Sequence, residues 1–420
     1  PFSGIHLLNR LLDTYRRFPR QFWLIALGVL ISSFGSSLIW PFQLIYISRQ
    51  LGVRLSTVAT LITLSASTGL ALSFIGGAIT DHVGRKPTMF AAQIGHGLAY
   101  FLMSRGASYL GFLVPLAMMN TAMLFYSVGS DSMMADMLPP EQRTEGYSIL
   151  RMVNNSGLAI GPAIGGFIVS YSYAMAFHFA ALAMTLYGLI LLVFVKETLD
   201  RRAPRPAKAR KREAFGGYDR VLKDRFFVVF VLVTSVGLIA PLMMWTLLAV
   251  YAKQNYGLPE YLYSWIPITN ALMCVFVQYP VTTVTRRFRP LPTLAVGMLI
   301  YALGVGTVAW VSTFPGFVAS MVVLSLGELI IVPVGTTFVA GRAPSDLRGR
   351  YMSVYWVSWG LSRATAPLIG GFLNDAISPR AVWHGGLVLG LLSTLGLVLL
   401  ARRIPARAEE GDADACGATG

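Results

Sequence analysis

The sequence GGAITDHVGRKPTM, residues 76–89, joins two long apolar blocks through a short charged turn. Its polar and small residues include Gly77, Asp81, Gly84, Arg85 and Lys86. Charged side chains of this kind are costly in the hydrocarbon core of a bilayer. The flanking blocks, residues 56–80 and 88–105, are long enough to cross one. The sequence therefore predicts a tight loop between two membrane-spanning helices.

The composition of all 420 residues agrees with a membrane protein. Mean hydropathy is +0.61, with 55% hydrophobic and 13% charged residues, whereas soluble domains carry about a quarter charged residues. A water-soluble enzyme is therefore excluded. The two cysteines, Cys274 and Cys416, match no disulfide framework and no metal site. We expect no metal, no cofactor other than protons as a coupling ion, and no redox chemistry.

Apolar blocks and their breakers predict twelve spans. Their ranges are 22–48, 56–80, 88–105, 110–135, 146–170, 174–195, 225–251, 260–284, 292–311, 315–340, 351–374 and 381–401. No small-residue cleavage site accompanies the first block, so we expect a retained helix rather than a removed signal peptide. A monomer is expected.

Basic residues predict the orientation, because Lys and Arg hold loops on the cytoplasmic side during insertion. Of the 34 Lys and Arg residues, 28 fall in loops assigned inside and five in loops assigned outside. Both termini are therefore expected in the cytoplasm and the chain in the cytoplasmic (inner) membrane. Because the basic residues behind the +15 net charge are explained by membrane orientation, we do not expect nucleic acid as a partner.

The chain compared with itself at an offset of 205 residues shows an internal repeat. The offset aligns Pro139 with Pro344, Pro162 with Pro367, and the pair Gly165-Gly166 with Gly370-Gly371. We expect an all-α membrane protein with twelve transmembrane helices in two pseudo-symmetric six-helix halves, with the substrate site between the halves near the bilayer midplane. The predicted divisions are a first half at 1–195, a basic cytoplasmic linker at 196–224, a second half at 225–403 and a disordered tail at 404–420.

The loop at 76–89 resembles the signature loop of the major facilitator superfamily, G-x-x-x-D-x-x-G-R-[KR]. The resemblance implies that the loop latches one face of a transporter. Family members place an acid at the end of helix four, which makes Asp136 the expected partner of Arg85. An ordinary interfacial acid is the alternative.

Helix five contains GLAIGPAIGGF, which is similar to the motif of the drug:proton antiporter branch of that superfamily. Its motif residues are Gly157, Gly161, Pro162, Gly165 and Gly166. Glycines spaced by four also give a smooth face for close helix contact, so simple packing is the alternative. Drug antiporters often carry an Arg in helix four; this chain has AMMNTAMLFYSVGSD there instead.

Two ionisable residues fall near the middle of predicted spans, Glu328 in span ten and Arg363 in span eleven. Such charges are rare and usually functional. Glu328 is the candidate carrier of an exchanged proton, with Arg363 as its electrostatic neighbour; a static buried ion pair is the alternative. Asp131 lies nearer the end of span four and is a second candidate acid. His96 and His178 are expected to be packing residues.

Aromatic, amide and methionine side chains on several spans predict a lipophilic substrate cavity. The candidates are Trp40, Tyr46, Tyr126, Asn154, Asn155, Met244, Trp245, Asn270, Gln278, Trp356 and Trp359. Each is individually compatible with packing or with an interfacial position.

The resemblance implies a secondary active transporter that exports lipophilic small molecules, with cationic ones a candidate class, by proton antiport and alternating access. A narrow-specificity metabolite exporter or a proton-coupled importer of the same fold is the alternative. An enzyme or a receptor is a different class; no H-E-x-x-H, Walker or G-x-S-x-G motif occurs, so we expect no enzymatic activity.

Overall fold

A computed structural model describes residues 16–199, 218–344 and 347–403, and within those ranges the chain is helical with no strand. Twelve long helical segments follow one another. They are α1 (Arg20–Ser37), α2 (Leu55–Val83), α3 (Arg85–Met103), α4 (Tyr109–Met137), α5 (Pro140–Tyr171), α6 (Tyr173–Phe194), α7 (Arg225–Tyr256), α8 (Trp265–Phe276), α9 (Pro290–Thr307), α10 (Phe314–Arg342), α11 (Arg348–Ala376) and α12 (Ala381–Arg403). Each predicted span overlaps one of them, and the predicted fold class is confirmed.

Two of the spans are interrupted. The first continues beyond α1 as a 3₁₀ turn, Trp40–Phe42, and a short helix, Gln43–Leu51. The eighth, predicted at 260–284, breaks at Ser264 and again at Val277, which divides it into Glu260–Tyr263, Trp265–Phe276 and Gln278–Thr285. Pro280 explains the break at Val277, because it has no N–H for the carbonyl four residues earlier and its ring collides with that carbonyl.

Eight helices of the described residues are long and apolar enough to cross a membrane by length and composition. The segments that fall outside this set are α2, α3, α8 and α11. Of these, α8 is short, and α3 and α11 are richer in polar residues, as in α11 with Arg363 and Asp375. A bundle interior tolerates polar groups that lipid would not. The protein is accordingly a multi-pass membrane protein.

The repeat is visible in the helix ends. Adding 205 to the bounds of α4 gives those of α10, and adding it to 20 and 51 gives the bounds of α7. Gly52 and Gly257, which follow the first span of each half, both adopt a left-handed conformation, with φ of 60° and 64°. A residue with a side chain is strained there, so glycine ends the helix at both places.

Helices pair in the same way in each half. In the first, α1 packs on α5 and α6, and α3 packs on α4 and α6; in the second, α7 packs on α11 and α12, and α9 on α10 and α12. The first core cluster includes Ile25, Met89, Met133, Tyr187 and Leu191.

Contacts divide the chain into two compact units. One comprises Pro1–Leu51 with Leu64–Ala203, and the other Gly52–Thr63 with Pro204–Gly420. The first turns of α2 are thus grouped with the second unit, and Ser56 N donates to Asp375 Oδ2 at 2.8 Å there. The predicted four-part division stays a prediction. Most of its linker, residues 200–217, and its tail, 404–420, lie outside the described residues.

Candidate functional site

Arg85 at the start of α3 connects two helices of the first unit through carboxylates. Its Nε lies 3.1 Å from Asp136 Oδ2 at the end of α4, and its Nη2 lies 3.2 Å from Asp81 Oδ1 on α2. Thr198 Oγ1 donates to the same Asp136 oxygen at 3.1 Å. The Arg85 side chain is only 12% exposed. The expected Arg85–Asp136 contact is therefore present, and its role as a latch stays a prediction.

Glu197, which follows α6, covers the first turn of α3. Its carboxylate accepts from the backbone N–H of Arg85 at 3.1 Å and of Lys86 at 3.2 Å. These N–H groups have no partner within the helix, and the helix dipole favours an anion there. Gly84 precedes the turn with φ of 117°, and a Cβ at Gly84 would overlap the Glu197 carboxylate. Glycine is therefore required for this close approach.

Sequence reasoning missed Glu197, because its surroundings, KETLDRR, have the composition of a solvated linker. The one available signal was its position immediately after a span, where an acid can reach a neighbouring helix start. Gly77 lies within α2, and Lys86 takes part through its backbone N–H.

The second unit has an ion pair between a different pair of helices, at the start of α7 and the end of α10. Asp224 caps α7 and accepts two hydrogen bonds from Arg342 at the end of α10, from Nε at 3.1 Å and from Nη2 at 3.0 Å. Tyr351 Oη donates to Asp224 Oδ2 at 3.1 Å, and Phe227 N donates to Oδ1 at 3.0 Å. Burial alone would raise the pKa of Asp224, but these hydrogen bonds and the Arg342 charge together hold it below its usual value.

The glycine-rich face of α5 lies against α1. A Cβ at Gly157 would come within 2.8 Å of Phe34 N, one at Gly161 within 2.9 Å of Phe34 O, and one at Gly165 within 2.7 Å of the Cα of Leu38. Hydroxyls join the helices between these points: Ser37 Oγ donates to Gly157 O at 3.0 Å. Pro162 and Gly166 are buried on the same helix. The glycines of α5 thus make a close contact with α1, and the antiporter role of the motif stays a prediction.

Glu328 lies at the centre of α10, 14 residues from each end, or about 21 Å from either end. Its Oε2 accepts from Asn270 Nδ2 of α8 at 2.8 Å, and the same amide lies 2.9 Å from Ser325 Oγ. Asn270 is 8% exposed, so this polar contact is inside the unit. A carboxyl held by an amide can bind or release a proton without losing its position.

Arg363 lies 15 residues after the start of α11 and 13 before its end, at a similar depth. No ion pair joins it to Glu328 within the ranges the structure describes, and the residue is exposed. Glu328 and Arg363 therefore do not form the ion pair that was the alternative interpretation of these two charges. The roles proposed for both residues stay predictions.

The other candidate titratable residues occupy separate places. Asp131 is exposed on α4, where its backbone carbonyl accepts from Tyr147 Oη at 3.3 Å. The ring of His96 stacks on Tyr100 at 5.0 Å. His178 Nε2 lies 3.1 Å from Ser104 Oγ.

The candidate cavity residues divide by exposure. Tyr46, Met244 and Asn270 are buried. Tyr126, Asn154, Trp245, Gln278 and Trp359 are partly buried, and Trp40, Asn155 and Trp356 are exposed.

Several of these side chains have local partners. Tyr46 Oη donates to Ser104 O at 3.1 Å, Tyr126 Oη lies 2.9 Å from Tyr187 Oη, and Gln278 Nε2 donates to Leu329 O at 3.0 Å. These contacts fix the side chains in place, while their part in a cavity stays a prediction. Within the described residues no cluster of side chains could hold a metal ion.

Two repeated halves of six helices, with ionic contacts at helix ends and charged residues at mid-depth, are the architecture of a secondary transporter. The family model of the Major Facilitator Superfamily matches residues 25–277 and 226–417. The chain belongs to that superfamily, whose fold is that of membrane transporters rather than of enzymes.

Several curated relatives cover most of the chain. YqjV, an uncharacterised MFS-type transporter of Bacillus subtilis (strain 168), is 24% identical over 90% of this chain and 92% of its own. The multidrug resistance protein MdtH of Aeromonas hydrophila subsp. hydrophila is 23% identical over 93% and 96%. A Na(+), Li(+), K(+)/H(+) antiporter of Planococcus maritimus is 23% identical over 83% and 86%.

Solved structures share the fold. A bacterial homolog of the human lysosomal transporter Spinster superposes with a TM-score of 0.75 at 13% identity, covering 91% of this chain and 96% of its own. A peptide transporter POT in complex with sulfate superposes with a TM-score of 0.72 at 17% identity, covering 92% and 95%.

Proposed function

We propose that this transporter exports lipophilic small molecules, cationic ones among them, in exchange for protons by alternating access. The main support for this proposal is the position of Glu328. It is an acid at the centre of α10, and its carboxylate accepts a 2.8 Å hydrogen bond from Asn270. A mid-span carboxyl is costly and is usually retained for ion or substrate movement. The names of two relatives, a multidrug resistance protein and a cation/proton antiporter, support export and antiport.

The proposed coupling set comprises Glu328, Arg363 and Asp131. Glu328 takes up a proton when substrate leaves and releases it when substrate binds. The loop that contains Asp81, Arg85 and Asp136 breaks and re-forms its ion pairs during the cycle. We place the protein in the cytoplasmic membrane, with both termini in the cytoplasm and protons as the coupling ion.

A substrate for this site is held by apolar area and by cation–π attraction rather than by many hydrogen bonds. Trp245, Trp356 and Trp359 of the second unit are the aromatic candidates, and none of the three is fully buried. This set supports a flat lipophilic substrate over a sugar.

The test uses purified protein in liposomes with an imposed pH gradient and a lipophilic cation as the probe. If one proton exchanges for one monovalent cation, each pH unit drives about tenfold accumulation, because it is worth about 1.4 kcal/mol. Glu328→Gln keeps the shape of the side chain and an oxygen for Asn270, but it cannot carry the proton. We expect gradient-driven accumulation to fall to about onefold in that variant.

Glu145→Gln is the matched control, because Glu145 is an exposed acid on α5 outside the proposed set. It should accumulate the probe as the wild type does. Wild-type coupling in Glu328→Gln would refute the assignment of the proton carrier. Gradient-independent movement in the wild type would refute antiport itself, and no movement of any lipophilic cation would favour a narrow-specificity transporter.

A further inference from the structure

Arg363 is a mid-depth cation without a protein counter-charge in the part of the chain that the structure describes. It lies near the centre of α11 and is exposed, and no described residue hydrogen-bonds to it or pairs with it. Glu328, the acid at a similar depth on α10, accepts a hydrogen bond from Asn270 instead. The two charges therefore do not satisfy each other.

A guanidinium stays protonated in proteins, so Arg363 cannot discard its charge. At the centre of a membrane-spanning helix such a charge costs about 3 kcal/mol or more unless water or an anion compensates it. The repeat shows that packing does not demand it: the position 205 residues earlier is Leu158, which is 40% exposed. The second half thus carries a cation where the first half carries an alkyl group.

Two tryptophans share the face of α11 that carries Arg363. Trp356 and Trp359 precede it by seven and four residues, which is about two turns and one turn of helix. Their rings lie 6.2 Å apart with 43° between planes. The side of the helix that packs on α7 is different, since Ser362 is buried there and its Oγ donates to Ser235 O at 2.7 Å.

We infer that Arg363, with Trp356 and Trp359, binds the anionic group and the adjoining ring of an amphoteric aromatic substrate. The inference rests on the transport function proposed above and specifies the substrate class. Guanidinium pairs with carboxylate through two parallel hydrogen bonds, and indole rings stack on flat aromatic systems. The basic group of the same substrate competes with the proton on Glu328. Purely cationic compounds bind without the contact to Arg363.

The test compares two probes that differ in one group: a rhodamine free acid, which carries a carboxylate beside its cationic ring system, and the methyl ester of the same dye. Binding of each to the detergent-purified protein is followed by fluorescence anisotropy. We expect the wild type to bind the acid at least about tenfold more tightly than the ester, which corresponds to about 1.4 kcal/mol.

Arg363→Gln should reduce that ratio to about one, and Arg363→Lys should keep part of it because the charge remains. A preference for the acid that persists in Arg363→Lys shows that the loss in Arg363→Gln follows the charge and is not a folding defect. Arg151→Gln is the control, since Arg151 is an exposed arginine of α5 that the site does not include; it should keep the wild-type ratio.

A wild-type ratio near one, or a ratio that Arg363→Gln leaves unchanged, overturns the inference. In either case, ester accumulation that still depends on the pH gradient and on Glu328 leaves the transport proposal standing. Absence of binding by both dyes contradicts both proposals. The ratio of acid to ester binding thus tests the inference about Arg363, and the dependence of transport on the pH gradient tests the proposed function.

Discussion

Replacing Gly165 by alanine tests the close contact between α5 and α1. A Cβ at this position would overlap the carbonyl oxygen of Leu38 and lie 2.7 Å from its carbonyl carbon and Cα. Carbon atoms in van der Waals contact lie about 3.5–4.0 Å apart. All three obstructing atoms are backbone, so no rotamer change relieves the overlap, and the helices must separate locally by about 1 Å.

Overpacking of this kind costs about 1–3 kcal/mol. Alanine also gains about 1 kcal/mol over glycine in helix propensity, which would conceal part of the loss. Gly95→Ala removes this ambiguity, because Gly95 lies inside α3 and a Cβ there meets nothing within 4 Å. Both variants share the propensity gain, so the difference between them, about 1–3 kcal/mol, measures the packing.

Thermal unfolding in detergent, followed by tryptophan fluorescence, gives the comparison. For a unit of about 200 residues, 1 kcal/mol corresponds to about 2–4 °C in Tm. Gly165→Ala should therefore melt several degrees below Gly95→Ala. Equal melting temperatures would refute the reasoning that the glycine face exists for close helix approach.

Two further changes test charges at helix ends. Glu197→Gln should destabilise the first unit by about 0.5–1 kcal/mol, because the N-terminus of α3 loses its anion; the effect should shrink in about 1 M salt, and a loss no larger than that of Glu145→Gln would contradict it. Asp224 has a lowered pKa, so its pairing with Arg342 contributes stability above the unfolded value near 4 and loses it as pH falls through the lower folded value. Asp224→Asn should therefore flatten the acid side of the stability profile below about pH 5, measured by thermal unfolding across pH, and an unchanged acid limb would refute this account.

The spans and the repeat could be predicted from the sequence because both depend on local composition. An apolar block of about 20 residues is typical of a membrane-spanning helix. Prolines and glycines that recur at the offset of 205 mark equivalent positions in the two halves. The break at Val277 in the eighth span was missed, although Pro280 carried the signal, because hydropathy averages over it. The contact of Arg85 with Asp136 was anticipated from the motif rather than from physics.

The remaining site contacts depend on side chains far apart in sequence. Glu197 meets Arg85 across 112 residues, and Arg342 meets Asp224 across 118. No periodicity links such pairs, and each involves a charge that the sequence alone assigns to a solvated loop or a helix end. Such contacts can be predicted only once it is known which helix ends lie next to each other in the fold.

The repeat offers an argument about Glu328 that neither half provides alone. In the first half, Asn120 Nδ2 of α4 donates to Ser65 Oγ of α2 at 3.3 Å; in the second, Asn270 of α8 donates to Ser325 Oγ of α10 at 2.9 Å. These positions are related by the offset of 205, with amide and hydroxyl exchanged between helices.

The same polar contact therefore holds the same two helices together in both halves, and it needs no acid. At the position of Glu328 the first half has Met123, which is 58% exposed. Packing is satisfied by an apolar side chain there, so the carboxyl, with its added bond to Asn270, is present for something other than the fold. A charge that the architecture does not require, in the half that also carries Arg363, is the physical basis for proposing Glu328 as the carrier of the exchanged proton.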